Sequence, residues 1–468
     1  MTAAFPDSGA GRAASWLAGQ LVAGRAPDAA AITVAAAVAL LGSRPADRLA
    51  AQLALAADRL RGGRAVAVYP SGAAGVDVVV VDPAGRRHLL SVATDDNGLL
   101  TSIEVEPWPP PGALMARDDL GRPAPTDAAP SLPARESNRV HDLLSEAWDH
   151  LPLVGLHAAV SHPDGYHHAR IGWADPAERT VWGPMTRHRI GSITKPLVAA
   201  VAMALAADGI VDLDGPIASL LPVNGLAEDV TLRHLLTHTS GIESDAPAAA
   251  PGDTAPLALS DLLADGLDAP FPPGVREAYS NVGYALAGAA LEQAAATSLP
   301  ELLRTRVLEP LGMATTVLAD PAEQGPGPLA RGVEVRAGTV IDAGPIAVTM
   351  PAAGGAWSTP SDMARLGGAM AARLSPFTGA VRDQMLEPSV PISGQPGWHR
   401  ALGWVVGEVS GLLVAGHDGG WPGWSAALWI APDRGWAVYL AANAGGLTEG
   451  GDDLNSRART LLVDLAGR

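Results

Sequence analysis

The chain has 468 residues and a hydrophobic content of 48%, which predicts a globular protein of two or three units with buried cores. Its formal net charge of -17 at pH 7 argues against nucleic-acid binding, because that binding needs a basic surface to displace counterions from phosphates. The absence of cysteine excludes disulfides, thiolate metal sites and a cysteine nucleophile.

The first residues, MTAAFPDSGAGRAASWLAG, have no cationic start followed by an apolar core and a cleavage site. We therefore expect a cytoplasmic protein. The most apolar stretches, residues 29–41 and 196–210, are shorter than the roughly 20 residues that span a bilayer. The sequence thus predicts no membrane segment.

The N-terminal region predicts helices followed by a β-meander. Residues 1 to about 62 are rich in Ala and Leu at helical spacing and end at Gly62 and Gly63. Four short apolar runs follow, separated by turn sequences such as DPAG and DDNG. We predict an α+β accessory domain over residues 1–106, which resembles NTF2-like domains in the order of its elements.

The next segment, residues 107–138, is rich in Pro and Ala and predicts an extended linker. From residue 139 to 468 a helical patch and the hairpin VGLHAAVSHPDGYHHARIGWAD come first, and a run of neighbouring strands and a last helix close the chain. Residues of about 210–345 are mostly helical in pattern. We predict one antiparallel sheet assembled from both ends, with helices beside it and a helical subdomain inserted.

The segment RIGSITKP contains the only lysine in the chain, Lys195, since all the other basic residues are arginine. Lysine can lose its proton when it is buried, whereas arginine cannot. Ser192 lies three residues earlier at the start of an apolar helix, so the two side chains share a face. The helix N-terminus favours negative charge at the serine oxygen. Lys195 is predicted to accept the serine proton or to stabilise a neighbouring phenolate.

Two further motifs follow in order: Tyr279-Ser280-Asn281 before a helical pattern, and GHDGG over residues 416–420 at the edge of a strand pair. With these, residues of about 150–468 resemble the superfamily of serine β-lactamases, penicillin-binding proteins and family VIII esterases, in its class C-like branch. The resemblance is carried by GSITK, TLRHLLTHTSGI at 231–242, FPPG with YSN, PAAGGAWSTPSDMARL at 351–366 and GHDGGWPGWSA at 416–426.

The resemblance implies that the active site lies between sheet and helical subdomain, and that Ser192 is acylated with Lys195 hydrogen-bonded to it. It implies that Tyr279 relays protons, and that Asn281 binds Lys195 and the substrate. The backbone N–H groups of Ser192 and Gly420 would form the oxyanion hole. A phenol with a pKa of about 10 is a poor base at neutral pH unless a cation lies beside it, and Lys195 is that cation.

The third motif departs from the family's Lys-Thr-Gly or His-Thr-Gly, because here it is His417-Asp418-Gly419. An aspartate at that place is expected to repel a substrate carboxylate. This disfavours β-lactamase and carboxypeptidase activity and favours an ester, amide or thioester. Trp421 and Trp424 beside the motif are either core residues or the lining of an apolar acyl pocket.

Other catalytic classes lack their motifs. There is no G-x-S-x-G, no phosphate-binding loop, no dinucleotide fingerprint after a strand and no H-E-x-x-H. The hairpin histidines have no carboxylate at ligand spacing, so neither a metal nor a cofactor is expected; they are His157, His162, His167 and His168. In TLRHLLTHTSGI we expect a structural role, with His234 and His238 satisfied by hydrogen bonds.

The sequence therefore predicts a serine hydrolase that acts on a small-molecule ester, amide or thioester through an acyl-enzyme. One alternative is a transacylase or amidase that moves the acyl group to an amine or alcohol in specialised metabolism. Another is a catalytically silent binding protein.

Overall fold

The computed structural model describes residues 5–36, 40, 46–71, 75–110, 112–129, 131–221, 223, 225–242, 267, 269–318, 327–345, 348, 350–372, 374, 376, 377, 379–432, 434–448 and 453–467. These residues form two compact units. One unit comprises residues 1–121 and 334–342, and the other comprises residues 122–333 and 343–468.

The first unit combines helices with a four-stranded antiparallel meander. Its helices are α1 (Gly9–Val22), α2 (Ala29–Ala35) and α3 (Ala46–Leu60). The meander has the order β1 (Arg64–Ser71), β2 (Gly75–Val81), β3 (Arg87–Thr94), β4 (Leu100–Pro107). Ser8 and Asp28 cap α1 and α2 by accepting backbone N–H groups, which satisfies donors that a helix start leaves open. Helices followed by a meander agree with the prediction.

The segment predicted as a linker has regular structure. It contains β5 (Ala113–Ala116), a 3₁₀ turn (Arg117–Leu120) and β6 (Thr126–Ala129). A second small sheet of the first unit has the order β11 (Val333–Arg336), β12 (Thr339–Asp342), β5. Proline-rich chain is extended, and an extended segment can pair at a sheet edge without supplying every backbone N–H. The two units accordingly divide at residue 121, rather than across a linker of residues 107–138.

The second unit is built on a ten-stranded sheet. Its strands are β6, β7 (Gly155–His162), β8 (Gly165–Asp175), β9 (Thr180–Val181), β14 (Val390–Pro391), β15 (Trp398–Arg400), β16 (Val405–Val409), β17 (Leu412–Trp421), β18 (Trp424–Ala431) and β19 (Trp436–Ala442). They run β14-β15-β16-β17-β18-β19-β7-β8-β6, with β9 on β8, and neighbours are antiparallel. The pairing of β19 with β7 joins strands from the beginning and the end of residues 139–468 in one sheet, as predicted.

The remaining elements of this unit are helices and two short strands. They are α4 (Ala134–His150), β10 (His188–Arg189), α5 (Thr194–Ala207), α6 (Leu232–Leu236), α7 (Asn281–Ala295), α8 (Leu299–Leu303), a π turn (Arg304–Leu308), α9 (Glu309–Leu311), α10 (Pro351–Gly354), β13 (Trp357–Ser358), α11 (Pro360–Ala372), α12 (Ala380–Met385) and α13 (Leu454–Ala466). Among the residues described above, no helix is long and apolar enough to cross a bilayer. The predicted helical subdomain of about 210–345 contains α6 to α9, and also β11 and β12; residues 243–266 within it lie outside the described chain.

The sheet has a helix on each face, and alternation along β18 tells the faces apart. Leu428 contacts α11, since a Cβ on Gly367 would lie 3.1 Å from it. Trp429, one residue on, donates its indole N–H to Asn455 of α13 at 2.6 Å. Consecutive residues of a strand point to opposite faces. Each residue of β17 is thereby assigned to the α11 face or the α13 face through its partner on β18.

Helix α5 lies in the middle of the core of this unit. All of its first ten residues are buried, so the helix is apolar around its whole circumference rather than along one stripe. Pro196 is its third residue, where its missing N–H breaks no helical hydrogen bond. The start of α5 is therefore fixed on all sides.

Candidate active site

Ser192 lies in the 3₁₀ turn Gly191–Ile193 directly before α5. Gly191 has φ +52°, and a Cβ there would lie 2.6 Å from the backbone oxygen of Gly420 on β17. Only glycine fits both this conformation and this approach. Thr194 donates its hydroxyl to the Gly191 carbonyl at 2.7 Å and so fixes the turn. Ser192 is only half-buried, so its hydroxyl is accessible where the chain is most constrained.

Lys195 is completely buried and places its ammonium among three oxygen acceptors. The distances from Nζ are 2.9 Å to Ser192 Oγ, 2.8 Å to Asn281 Oδ1 and 2.8 Å to the carbonyl of Ala353. An ammonium group has three donors, and these acceptors match them in number.

Tyr279 directly precedes α7, and its phenol oxygen lies 2.8 Å from Ser192 Oγ. Lys195 Nζ is 4.7 Å from the centroid of its ring. Ser280 caps α7 by accepting the Gly283 N–H at 3.0 Å, and Asn281 is the first residue of the helix. One helix start thus holds the phenol and the amide that contact the serine and the lysine.

The third predicted motif lies in β17, in close contact with the nucleophile turn. A Cβ on Gly419 would lie 1.9 Å from the Ile190 carbonyl oxygen and 3.2 Å from the Ser192 backbone nitrogen. A side chain is therefore impossible at Gly419. The contact brings the backbone of β17 next to the turn that holds Ser192; the backbone N–H groups of Ser192 and Gly420 are the predicted oxyanion donors.

His417 faces the site as a neutral ring. It lies opposite Leu428 on β18, so it belongs to the α11 face. Its Nδ1 donates to the Asp418 carbonyl at 2.6 Å, which leaves Nε2 as an acceptor. Burial, with help from the charges of Lys195 and Arg400, lowers the pKa of His417 to about 3.

Asp418 was expected to repel a substrate carboxylate, and its side chain lies on the opposite face of β17 from that of His417. It lies opposite Ala427, so its side chain points to the α13 face, away from His417 and Gly419. Burial raises the pKa of its carboxyl group, the charges of Arg400 and Lys195 oppose that rise, and the charge of Asp453, the N-cap of α13, adds to it. The alternation of side chains along a strand accounts for the different positions of His417 and Asp418.

The two tryptophans have different surroundings. Trp424 is buried, with its ring 5.7 Å from that of Trp357 in an edge-to-face arrangement, and is a core residue. Trp421 is half-buried, and the guanidinium of Arg189 lies 4.4 Å from its ring. The same guanidinium lies 4.7 Å from the Trp357 ring. Of the predicted pair, Trp421 alone lies at the edge of the site, where its ring approaches Gly354 beside Ala353.

The sequence did not indicate three further groups at the site. The Ala353 carbonyl has no sequence signature. Arg400 contacts Glu277 at 2.9 Å and lies 5.1 Å from the Tyr279 ring. His238, expected to be purely structural, stacks on Tyr279 with a centroid separation of 4.3 Å. Its membership of the segment TLRHLLTHTSGI was the available signal.

Within the described part of the chain, no cluster of His, Asp or Glu is able to hold a metal ion. The histidines of the β7–β8 hairpin instead pair with one another and with neighbouring groups. His157 Nε2 lies 3.1 Å from His168 Nδ1, His162 Nε2 lies 2.8 Å from Ser131 Oγ, and His167 Nε2 lies 3.3 Å from Asp127.

Comparison with known proteins gives concordant results. The family model described as Beta-lactamase matches residues 140–462. Penicillin-binding protein 4 of Amycolatopsis lactamdurans is 29% identical over 304 residues, covering 59% of this chain and 76% of that protein. Esterase EstB of Burkholderia gladioli is 32% identical over 198 residues, covering 37% of this chain and 50% of the esterase. A solved structure of Beta-lactamase/D-alanine Carboxypeptidase from Yersinia pestis superimposes with a TM-score of 0.61 at 26% identity, covering 70% of this chain and 98% of that one.

Proposed function

Because this chain belongs to the Beta-lactamase family, which includes esterases and penicillin-binding proteins, we propose that it is a serine hydrolase whose nucleophile is Ser192. The observation that carries the proposal is the double contact of Ser192 Oγ, with Lys195 Nζ at 2.9 Å and the Tyr279 phenol oxygen at 2.8 Å. A serine hydroxyl is a weak nucleophile unless a base is within hydrogen-bond reach. Here the phenol is within that reach, and a buried cation lies beside both groups.

In the proposed acylation step Ser192 Oγ attacks the substrate's carbonyl carbon and its proton passes to the Tyr279 phenolate. Lys195, held by Asn281 and the Ala353 carbonyl, supplies the positive charge that favours the phenolate. The backbone N–H groups of Ser192 and Gly420 stabilise the tetrahedral oxyanion. Tyr279 then returns the proton to the leaving alcohol or amine, which departs as the carbon–oxygen or carbon–nitrogen bond breaks.

Deacylation repeats these steps with water. The Tyr279 phenolate removes a proton from the water, the resulting hydroxide attacks the acyl carbon, and Ser192 leaves with the proton returned by the tyrosine. A carboxylic acid is released and the enzyme is regenerated. An amine or alcohol that reaches the acyl-enzyme before water would be acylated by the same chemistry.

The proposed substrate is a small ester or amide without a carboxylate beside the scissile bond. His417 supports this choice, because its low pKa leaves it neutral where the family commonly has a lysine. Arg400 is already paired with Glu277. The similarity to esterase EstB favours an ester as the first substrate to test.

The test is covalent labelling combined with turnover. Wild type should take up one fluorophosphonate, detected by intact mass at Ser192, and should cleave a short-chain p-nitrophenyl ester faster than a chromogenic cephalosporin. Ser192→Ala should do neither, whereas the control Ser219→Ala, at an exposed serine, should behave as wild type. Labelling that persists in Ser192→Ala would contradict the proposal, and no label or turnover in wild type would favour the silent binding protein.

A further inference from the structure

His238 contacts three consecutive residues, those at positions 278 to 280, of the segment that leads into α7. Its backbone carbonyl accepts the Ala278 N–H at 2.8 Å, and its ring Nδ1 accepts the Ser280 N–H at 3.0 Å. Between these two hydrogen bonds, its ring stacks on Tyr279 with centroids 4.3 Å apart and an interplanar angle of 29°. The backbone N–H groups of the residues on each side of the tyrosine, and the tyrosine ring itself, thus all contact one residue.

The backbone of His238 is adapted to this contact. Its φ is +59°, in the left-handed region that few residues other than glycine enter, with asparagine, aspartate and histidine the most frequent exceptions. The Gly274 N–H donates to the carbonyl of Thr239, the next residue, at 2.7 Å, so residues 238–239 are hydrogen-bonded to residues 274–280 at several points. The left-handed conformation of His238, beside Tyr279, is maintained by these surrounding hydrogen bonds.

The presence of histidine at this position, rather than another aromatic residue, is explained by the hydrogen bond that its Nδ1 accepts from Ser280. His238 is fully buried, and its Nε2 has no hydrogen-bond partner among the residues that the structure describes. A phenylalanine would stack on Tyr279 without burying an unpaired polar group, which is unfavourable. The feature that phenylalanine lacks is the Nδ1 acceptor for Ser280.

The acceptor role requires a neutral ring with its proton on Nε2. The groups that face the ring are Lys195, Arg400, His417, Tyr279 and Tyr284. Burial and the charges of Arg400 and Lys195 hold the pKa of His238 well below its usual value of 6.5. A proton on Nδ1 would break the bond to Ser280 and add a third cation next to Tyr279.

We propose that His238 is the positioning residue of Tyr279, fixing the phenol oxygen at hydrogen-bond distance from Ser192. This inference rests on the proposed function and adds a residue to it. His238 acts through the tyrosine ring and through the backbone N–H groups of the residues on either side of the tyrosine. Because a misplacement of about 1 Å can lower a rate by about 10²-fold, the effect belongs in kcat rather than in KM.

The test compares two substitutions that both tolerate a left-handed backbone. His238→Gly removes the acceptor and the ring, and it should lower kcat for a p-nitrophenyl ester by about 10²-fold with KM within about threefold. In His238→Asn the side-chain oxygen replaces Nδ1 as acceptor, and this variant should recover at least tenfold of the loss. Equal kcat values for the Asn and Gly variants would overturn the proposal.

A double-mutant cycle separates positioning from a general structural role. In a Tyr279→Phe background the hydroxyl is absent, so adding His238→Gly should lower kcat no further. Losses that multiply in the double variant would overturn the proposal. Melting curves of all variants show whether each one is folded; if His238→Gly fails to fold, His238→Asn in the two backgrounds provides the same comparison.

A measurement independent of turnover keeps this inference distinct from the proposed function. In ¹⁵N-histidine-labelled protein, the signal that disappears in His238→Asn should show a neutral ring protonated at Nε2 between pH 6 and 8. A charged ring, or a proton on Nδ1, would overturn the positioning role. If Ser192→Ala retains full turnover the proposed function fails, whereas the contact of His238 with Ser280 is judged by this spectrum alone.

Discussion

At the scale of single residues, the environment of Lys195 explains why this position is not an arginine like every other basic residue in the chain. Its Nζ lies among Ser192 Oγ, Asn281 Oδ1 and the Ala353 carbonyl, which come from three different parts of the sequence. These acceptors surround a compact ammonium. A planar guanidinium presents its donors in a fixed fork and needs more room.

Lys195→Arg should therefore be nearly as damaging as loss of the charge. We expect a fall in kcat/KM of about 10³-fold for a p-nitrophenyl ester, within the range for removal of acid–base assistance. Lys195→Met, of similar length and without charge, is the matched comparison. An arginine variant that keeps a tenth of wild-type activity would show that charge alone, without the three acceptors, is sufficient.

Gly191 and Gly209 offer a second comparison at this scale, since both have positive φ, +52° and +71°. A Cβ on Gly191 would meet backbone atoms of Gly420 at 2.6 and 2.9 Å, whereas a Cβ on Gly209 would meet nothing within 4 Å. Gly209→Ala should cost roughly 1–2 kcal/mol of unfolding free energy and leave kcat unchanged. Gly191→Ala should cost about 4 kcal/mol and abolish turnover, measured by urea unfolding and ester hydrolysis. Equal effects at both sites would argue against the close contact of the turn with β17.

At the scale of secondary-structure elements, the start of α7 connects folding with the site. Ser280 accepts the Gly283 N–H at 3.0 Å, and it lies between Tyr279 and Asn281. Asp453 caps α13 in the same way by accepting the Ser456 N–H at 2.6 Å. The two caps have the same physical role, but only the first is next to groups that contact Ser192 and Lys195.

Ser280→Ala and Asp453→Ala should each lower the free energy of unfolding by about 1 kcal/mol, the usual effect of losing an N-cap. Only Ser280→Ala should also lower kcat, by about tenfold, because the helix start positions the phenol and the amide. Urea unfolding and ester turnover of the two variants test this. A matching fall in kcat for Asp453→Ala would mean that global stability, rather than the local cap, governs activity.

The sequence predicted elements well where local patterns determine them. Alternating residues indicated the β7–β8 hairpin, and the three-residue spacing of Ser192 and Lys195 indicated that their side chains meet at the start of α5. Alternation along β17 also implies that His417 and Asp418 lie on opposite faces of the strand, which the sequence alone could have predicted. The contact of Lys195 with the Ala353 carbonyl and the stacking of His238 on Tyr279 could not be predicted from the sequence. These contacts join residues that are 158 and 41 positions apart, and no local pattern indicates that they meet.

At the scale of the whole molecule, the second unit buries a row of histidines where the two ends of the chain meet in the sheet. His157 on β7 lies beside His168 on β8, with Nε2 and Nδ1 3.1 Å apart. His188 on β10 contacts the Tyr439 hydroxyl of β19 at 2.5 Å. The ring of Trp182 lies between them, 6.3 Å from His157 and 5.3 Å from His188. These side chains join β7, β8, β10 and β19 only while they remain uncharged.

This arrangement should make the fold sensitive to mild acid. Burial lowers the pKa of His168 and of His188 from 6.5 to about 4, and it lowers the pKa of His157 as well. Below pH 6.5 the unfolded chain binds protons that the folded chain does not, so the free energy of unfolding falls as the pH falls from 6.5 towards 4. Each of the two shifts corresponds to a loss of about 3 kcal/mol over that interval. Buried Asp77 and Asp418 act in the opposite direction, because burial raises the pKa of their carboxyl groups.

The contribution of His168 is obtained by comparing the pH dependence of unfolding free energy in wild type and in His168→Gln. Asp77 and Asp418 are present in both proteins, so their effects cancel in the difference. We would measure the free energy of unfolding by urea at pH 7.5, 6.5, 5.5 and 4.5. It should fall less in the variant than in wild type, because one proton fewer is taken up on unfolding; the difference should be about 1.4 kcal/mol between pH 5.5 and 4.5. His150→Gln, the same substitution at an exposed histidine of α4, provides the control for the effect of the exchange itself. Parallel curves for His168→Gln and wild type would show that His168 is protonated to the same extent in the folded and unfolded chain, and that the acid sensitivity of the sheet arises elsewhere.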